Sequence, residues 1–276
     1  TCEIEMPEQP GLLWYYFRIV DNENRLWYFG NAADQLGGVG ELYTSEPPSY
    51  QITVFDGAFA TPSWLRNGVM MQIMVDRFHA SREPDVNNLP AGSFYHVHWD
   101  EDPVLVVNDR TGDYCANDFF GGDLKGIEQK LDYIAGLGVT VIYLNPIFQA
   151  RSNHKYDTGD YKRIDPAFGT EQDFRDLCAA AKQRGIRVIL DGVFSHTGAD
   201  SVYFNRSGAY GSGGAYNDPA SPYAPWYMFK HWPNDYESWW GIQTLPTVDK
   251  DGPTYRRFII SDPASVIAHW QRAGAS

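Results

Sequence analysis

Three short apolar runs, each stopped by a polar residue, constrain what this chain can fold into. Val69 to Val75 ends in Asp76-Arg77-Phe78, Val139 to Leu144 ends in Asn145-Pro146, and Val188 to Leu190 ends in Asp191. Each run is too short for a helix and too unrelieved for a strand with one wet face, so each reads as a buried strand. Helical patterns separate them. Asp123 can cap a helix starting near Leu124, in which Ile127, Leu131, Ile134 and Leu137 share a face and Gly138 is the stop. Thr170 and Asp173 have capping-box spacing, Phe174, Leu177, Cys178 and Ala181 follow on one face, and Gly185 ends the pattern.

Strand, helix, strand, helix, strand in this order implies parallel pairing through right-handed crossovers. Polar or glycine-rich loops follow each strand exit, as expected for the first three β/α units of a (β/α)8 (TIM) barrel within an α/β fold. The alternative is a flavodoxin-like sheet. No Gly-x-Gly-x-x-Gly follows any of the strands, which argues against a dinucleotide site.

Around this rhythm the chain divides into segments. Residues 1–60 read as part of a β-sandwich: Leu12 to Val20 and Arg25 to Phe29 form a hairpin around Asp21-Asn22-Glu23-Asn24, and Tyr50 to Phe55 alternates like a half-buried strand. Three strands make a thin sandwich, and two or three more would be needed to cover their faces. Thr61 to Trp64 marks a boundary, and residues 61–196 carry the barrel units. A long polar loop spans 79 to about 122. Residues 197–258 form an inserted domain rich in aromatic rings, most of which are expected to pack together, with sugar stacking reserved for Trp239 or Trp240. Residues 259–276 form a helix that starts at Ser261-Asp262-Pro263, turns Val266, Ile267 and Trp270 inward, and ends at Gly274.

Composition narrows the function classes. A net charge of -13 with no basic patch argues against a nucleic-acid partner. Cys2, Cys115 and Cys178 are odd in number and widely spaced, which argues against a disulfide scaffold or a zinc site. No apolar run approaches the roughly 20 residues of a membrane span. No signal peptide is seen, although the chain starts at Thr1 rather than Met, and a cytoplasmic location is expected. In Asp191-Gly-Val-Phe-Ser-His196, the Asp and His read either as polar groups delivered to a site at a strand's carboxyl end or as a loop cap and an incidental histidine. The residues alone leave both open.

Four stretches, taken together, resemble the α-amylase family, glycoside hydrolase family 13. Gln72-Ile-Met-Val-Asp-Arg-Phe78 resembles the family's first barrel strand. Asn153-His-Lys-Tyr-Asp-Thr-Gly-Asp-Tyr161, with Ile164-Asp-Pro-Ala-Phe-Gly169, resembles the loop after the second. Asp191-Gly-Val-Phe-Ser-His196 resembles the motif Asp-x-Val-x-Asn-His, with Ser195 in place of the usual Asn. Trp239-Trp-Gly with Leu245-Pro-Thr-Val-Asp249 resembles the Met-Pro-Lys-Leu-Asn motif of the neopullulanase, cyclomaltodextrinase and maltogenic amylase group, departing from it at four of five positions. Leu12 to Trp64 is similar to the end of that group's amino-terminal β-sandwich.

The resemblance implies roles. Tyr156 would stack on the sugar at the cleaved bond, His196 would bond its hydroxyls, Asp191 would lie beneath, and Trp239 and Asp249 would line the cleft from the inserted domain. Retaining glycosidases need two carboxyl groups roughly 5–5.5 Å apart. The family carries its catalytic carboxyls on the fourth, fifth and seventh strands, so no catalytic residue is assigned here. Asp191, Asp157 and Asp160 are rejected as substitutes. The expectation is the amino-terminal part of an α-glucan-acting hydrolase, inactive by itself. The alternative is a non-catalytic carbohydrate-binding or structural fragment. The resemblance leaves room for a homodimer of the parent enzyme. It also raises calcium, through Phe120-Gly-Gly-Asp123, with Gly121 and Asp123 as ligands. Against this stands Asp123 as a plain helix cap.

Overall fold

The structure is a computed structural model describing residues 3, 5–104, 107 and 115–276. Cys2 and part of the long polar loop spanning 79 to about 122 lie outside the described residues. The chain divides into two compact units, Thr1–Arg66 and Asn67–Ser276.

The first unit holds five strands: β1 (Gly11–Tyr15), β2 (Phe17–Val20), β3 (Leu26–Gly30), β4 (Glu41–Tyr43) and β5 (Tyr50–Val54). The apolar run from Leu12 to Val20 is not one strand. It breaks at Tyr16, so that β1 pairs antiparallel with β5 while β2 pairs with β3. The hairpin turn is held by Asp21, whose carboxylate accepts from Arg25 and Trp27. Sequence reading missed β4, which is only three residues long and pairs with β3.

The second unit is built on three parallel strands, β12 (Arg187–Leu190), β9 (Val141–Leu144) and β6 (Met70–Ile73), paired in that order. In chain order β6 comes first. Two short strands, β7 (Phe94–Tyr95) and β8 (Asp118–Phe119), pair parallel in the loop that follows. β9 (Val141–Leu144) is the central strand, with Leu144 opposite Ile73 on one side and opposite Leu190 of β12 (Arg187–Leu190) on the other. The three strands therefore end at one level, and Asn145 and Asp191 each donate a backbone N–H to the neighbouring strand's last carbonyl. Asp76 lies in a 3-10 turn, Val75–Arg77, rather than in a continued strand.

Two helical segments precede β9. The single helix expected from Leu124 to Leu137 is broken at Lys130 into α1 (Leu124–Gln129) and α2 (Leu131–Gly136). α3 (Glu171–Gln183) matches the reading closely. Thr170 and Asp173 form the reciprocal capping box, and Phe174, Leu177, Cys178 and Ala181 are its buried residues. The polar loop after β9 contains an antiparallel hairpin that the sequence did not reveal, β10 (Phe148–Ala150) with β11 (Thr158–Ile164).

Residues 197–258 are mostly turns, with a small hairpin of β13 (Phe229–His231) and β14 (Asp235–Tyr236). Its rings do pack together: Phe204, fully buried, contacts Tyr216, Tyr227, Phe229 and Tyr236. The chain then forms α4 (Pro253–Arg256), a π-turn to Ser261, and α5 (Val266–Ala273). The last helix does not begin at Ser261. Asp262 accepts from Ala264 N–H in a turn, and Ser265 is the N-cap, accepting from Ala268 N–H at 3.2 Å.

Candidate functional site

The level carboxyl ends of β9 and β12 place two groups side by side. Asp191 follows β12 directly, and Tyr143 lies two residues before Asn145 on β9. Burial first, and then Asp191, raises the Tyr143 pKa above its ordinary value. The hairpin loop between β10 and β11 adds Tyr156, whose hydroxyl donates to Asp191 Oδ2 at 2.8 Å. Burial, then the Asp191 carboxylate, pushes the Tyr156 phenol up to about 12.

A buried ion pair sets the shape of that loop. Lys155 has φ of 61° and a fully buried side chain. Its Nζ lies 2.8 Å from Asp165 Oδ2 and donates to the Ala150 carbonyl at 3.1 Å, between the rings of Phe119 and Phe168. Asp165 also accepts from Ala150 N–H and Ala167 N–H. Asp157 accepts from Ser152 N–H and Oγ, closing the loop across Tyr156. A charged lysine is costly to bury unless it is matched, and here a carboxylate and a carbonyl match it.

His196 comes from the loop after β12 and is 4% exposed. Its Nε2 lies 3.1 Å from the Tyr156 carbonyl and its Nδ1 2.9 Å from Ser195 Oγ. A carbonyl can only accept, so Nε2 carries the proton and Nδ1 accepts from the serine hydroxyl. Burial lowers the His196 pKa, which favours this neutral form. The loop is pinned from two directions. Tyr161 on β11 is fully buried and directs its hydroxyl at the carbonyls of Val193 (2.7 Å) and His196 (3.0 Å). The end of the 197–258 segment closes on the other side, with Thr197 N–H donating to Pro246 O and Val248 N–H to Ser195 O.

The segment 197–258 brings Trp239 against the His196 ring, centroids 5.1 Å apart. Trp240 stacks on Trp239 at 4.6 Å and 4°. Tyr156, Asp191, His196 and Trp239 thus form one chain of contacts. Asp249 stands apart from it: its carboxylate accepts from Asp251 N–H and its backbone N–H donates to the Trp226 carbonyl. Tyr143 and the Lys155–Asp165 anchor were missed from sequence. A lone phenol near the end of an aliphatic strand could have flagged the first. The second needs the fold.

Of the residues raised for calcium, Gly121 donates its backbone N–H to Asp76, and Asp123, like its neighbours Asp76 and Asp85, is held by hydrogen-bond donors. Asp123 accepts from Gly126 N–H at 2.5 Å as the α1 cap and from Ser81 Oγ at 2.7 Å. Asp76 accepts from Phe120 and Gly121 N–H and pairs with Arg77. Asp85 accepts from Asn87 N–H. No three His, Cys, Asp or Glu side chains gather to hold a metal among the described residues. In this arrangement the Asp123 carboxylate serves as the α1 cap and as the partner of Ser81.

The strand ends bring a phenol–carboxylate pair and an adjacent neutral imidazole together at the carboxyl face of three parallel strands, where parallel α/β folds place their sites. The sequence profile described as "Alpha amylase, catalytic domain" matches residues 72–261, and the chain belongs to the alpha-amylase family. It is 43% identical, over 95% of its length, to an amylopullulanase of Thermoanaerobacterium saccharolyticum, of which it spans 22%. It is 36% identical over 78% of its length to the intracellular maltogenic amylase of Bacillus subtilis, of which it spans 32%. Among solved structures, the type III pullulan hydrolase from Thermococcus kodakarensis is similar with a TM-score of 0.64 and 32% identity, covering 91% of this chain and 43% of that one. The family and these neighbours imply a TIM-barrel glycosidase fold. No helix among the described residues is long and apolar enough to cross a membrane.

Proposed function

We propose that this chain supplies the substrate-binding part of the cleft in an α-glucan-acting glycosidase that cleaves maltodextrin, pullulan or cyclodextrin with retention. In this reading β6, β9 and β12 are the first three strands of the barrel, and residues 197–258 are a domain inserted after the third. The contact chain Asp191–Tyr156–His196 at the carboxyl ends of parallel strands carries the proposal. An aromatic ring, a carboxylate and a neutral imidazole suit a neutral sugar, which offers a C–H face and hydroxyls that both donate and accept.

Bond cleavage is not assigned to these residues. Asp191 is bonded to Tyr156, Asp157 to Ser152, and Asp160 to Tyr203 and Lys162 N–H, so none is a free partner in a carboxyl pair. Their part is to hold the sugar at the reacting bond, and the relatives' names set the expected substrates. The test is hydrolysis of pullulan and maltodextrin by the protein carrying this chain. Asp191→Asn and His196→Ala are each expected to lower kcat/KM at least tenfold, about 1.4 kcal/mol of transition-state stabilisation. Undiminished kcat/KM in both variants would remove these residues from the cleft. Produced as these 276 residues alone, the chain is expected to release no reducing sugar, and turnover abolished by Asp191→Asn would reverse that assignment.

A further inference from the structure

The sequence left sugar stacking open between Trp239 and Trp240, and the structure separates them. Trp239 is half-buried, and its ring lies against His196 and against Trp240. Trp240 is 85% exposed. Its backbone is in the left-handed region, φ 51° and ψ 27°, which a bulky side chain rarely adopts. The turn around it is closed on both sides: Gly241 N–H donates to Ser238 O, Ile242 N–H to Trp239 O, and Trp239 N–H to Leu245 O. Nothing in the fold requires a large ring there, and a glycine would take that φ freely. The strained backbone has one visible result. It lays the Trp240 ring flat on Trp239, parallel to within 4°, so that the whole outer ring face is presented to water.

We propose that Trp240 is an outlying sugar-stacking platform that extends the cleft and gives the protein a preference for longer α-glucan chains. The proposal rests on the reading of the cleft given above. The rings of His196, Trp239 and Trp240 form a column that starts at the Tyr156 carbonyl and ends in solvent, so a glucan held at Tyr156 and Asp191 is flanked by this column as it leaves the centre. A pyranose ring offers an apolar C–H face of the size that an indole covers. Strain at an exposed aromatic points to a ligand contact, because ring burial in the fold does not account for it.

The test compares wild-type protein, Trp240→Gly and Trp240→Phe, each carried in the intact protein. They are titrated with thio-linked maltohexaose and thio-linked maltose, which resist hydrolysis. Trp240→Gly is expected to weaken maltohexaose binding about tenfold and to leave maltose binding unchanged. Its Tm should not be lower, since relief of the backbone offsets the lost ring contact. Trp240→Phe should keep most of the maltohexaose affinity. Unchanged maltohexaose binding in Trp240→Gly overturns the proposal. So does an equal loss for both sugars, which would place Trp240 within the central cluster, or a clearly lower Tm, which would make the ring a packing or partner contact. Wild-type protein that binds neither sugar overturns both this proposal and the cleft reading beneath it.

Discussion

The Tyr156 hydroxyl donates to Asp191 at 2.8 Å, and so ties a loop that follows one strand to the end of the next strand in the sheet. Tyr156→Phe removes the donor and leaves a half-buried carboxylate short of a partner. The expected cost is about 1–2 kcal/mol in chemical denaturation, together with weaker oligosaccharide binding. An unchanged urea midpoint would show that solvent replaces the phenol without loss.

The same pair has an alkaline signature. The Tyr156 phenol is raised from 10.0 to about 12, by burial first and then by Asp191. The folded protein keeps a proton that the unfolded chain releases. The resulting stability is fully present below pH 10 and is lost as pH rises through 12. Ultraviolet titration should show a group of late-ionising phenols, the buried Tyr255 among them, and Tyr156→Phe should remove one phenol from that group.

His196 sets the acid limit. Its pKa lies below 6.5 because burial disfavours the imidazolium. A depressed pKa contributes stability above 6.5 that is lost as pH falls through the lower folded value. Sugar affinity should fall over the same range, since protonation of Nδ1 ends its acceptance from Ser195 Oγ. Nitrogen-resolved NMR of the imidazole should show the Nε2–H tautomer at neutral pH, and an Nδ1–H tautomer would contradict the assignment.

Lys155→Met would leave Asp165 charged and buried without its cation. The expected destabilisation is about 3–5 kcal/mol, and removal of both charges in Lys155→Met with Asp165→Asn should recover part of it. Thermal denaturation of the two singles and the double gives the coupling directly. Additive losses would mean that the pair is not a unit.

Asp123 should behave as a cap. Asp123→Ala is expected to cost about 1 kcal/mol through α1. Calorimetric titration of the protein with calcium is expected to give no binding heat. Tight calcium binding abolished by Asp123→Ala would require Ser81 and Gly126 to give up their bonds, and would replace the cap with a metal site.

How much was legible in the sequence differs by element. The strand ends at Asn145 and Asp191 and the Thr170–Asp173 box were readable, because apolar runs and caps are local signals. The contacts among Tyr156, Asp191, His196 and Trp239 were not legible, since residues so far apart carry no local sign of touching; the resemblance over four stretches named them only as substrate-binding groups. The hairpin β10–β11 was unreadable because its pairing shifts register twice within three residues, which erases the period-two pattern. The break at Lys130 and the late start of α5 were hidden for a related reason. Periodicity shows which face is apolar but not where the backbone turns.

Tyr161 has one proton and is within bonding reach of two carbonyls, Val193 and His196. It sits on β11, while both carbonyls belong to the loop after β12, and Trp270 of α5 in turn donates its indole N–H to the Tyr161 carbonyl. The two loops are therefore one mechanical part. An engineer who grafts the Asp191–His196 loop from a relative into this chain, leaving the hairpin behind, would transplant half a joint.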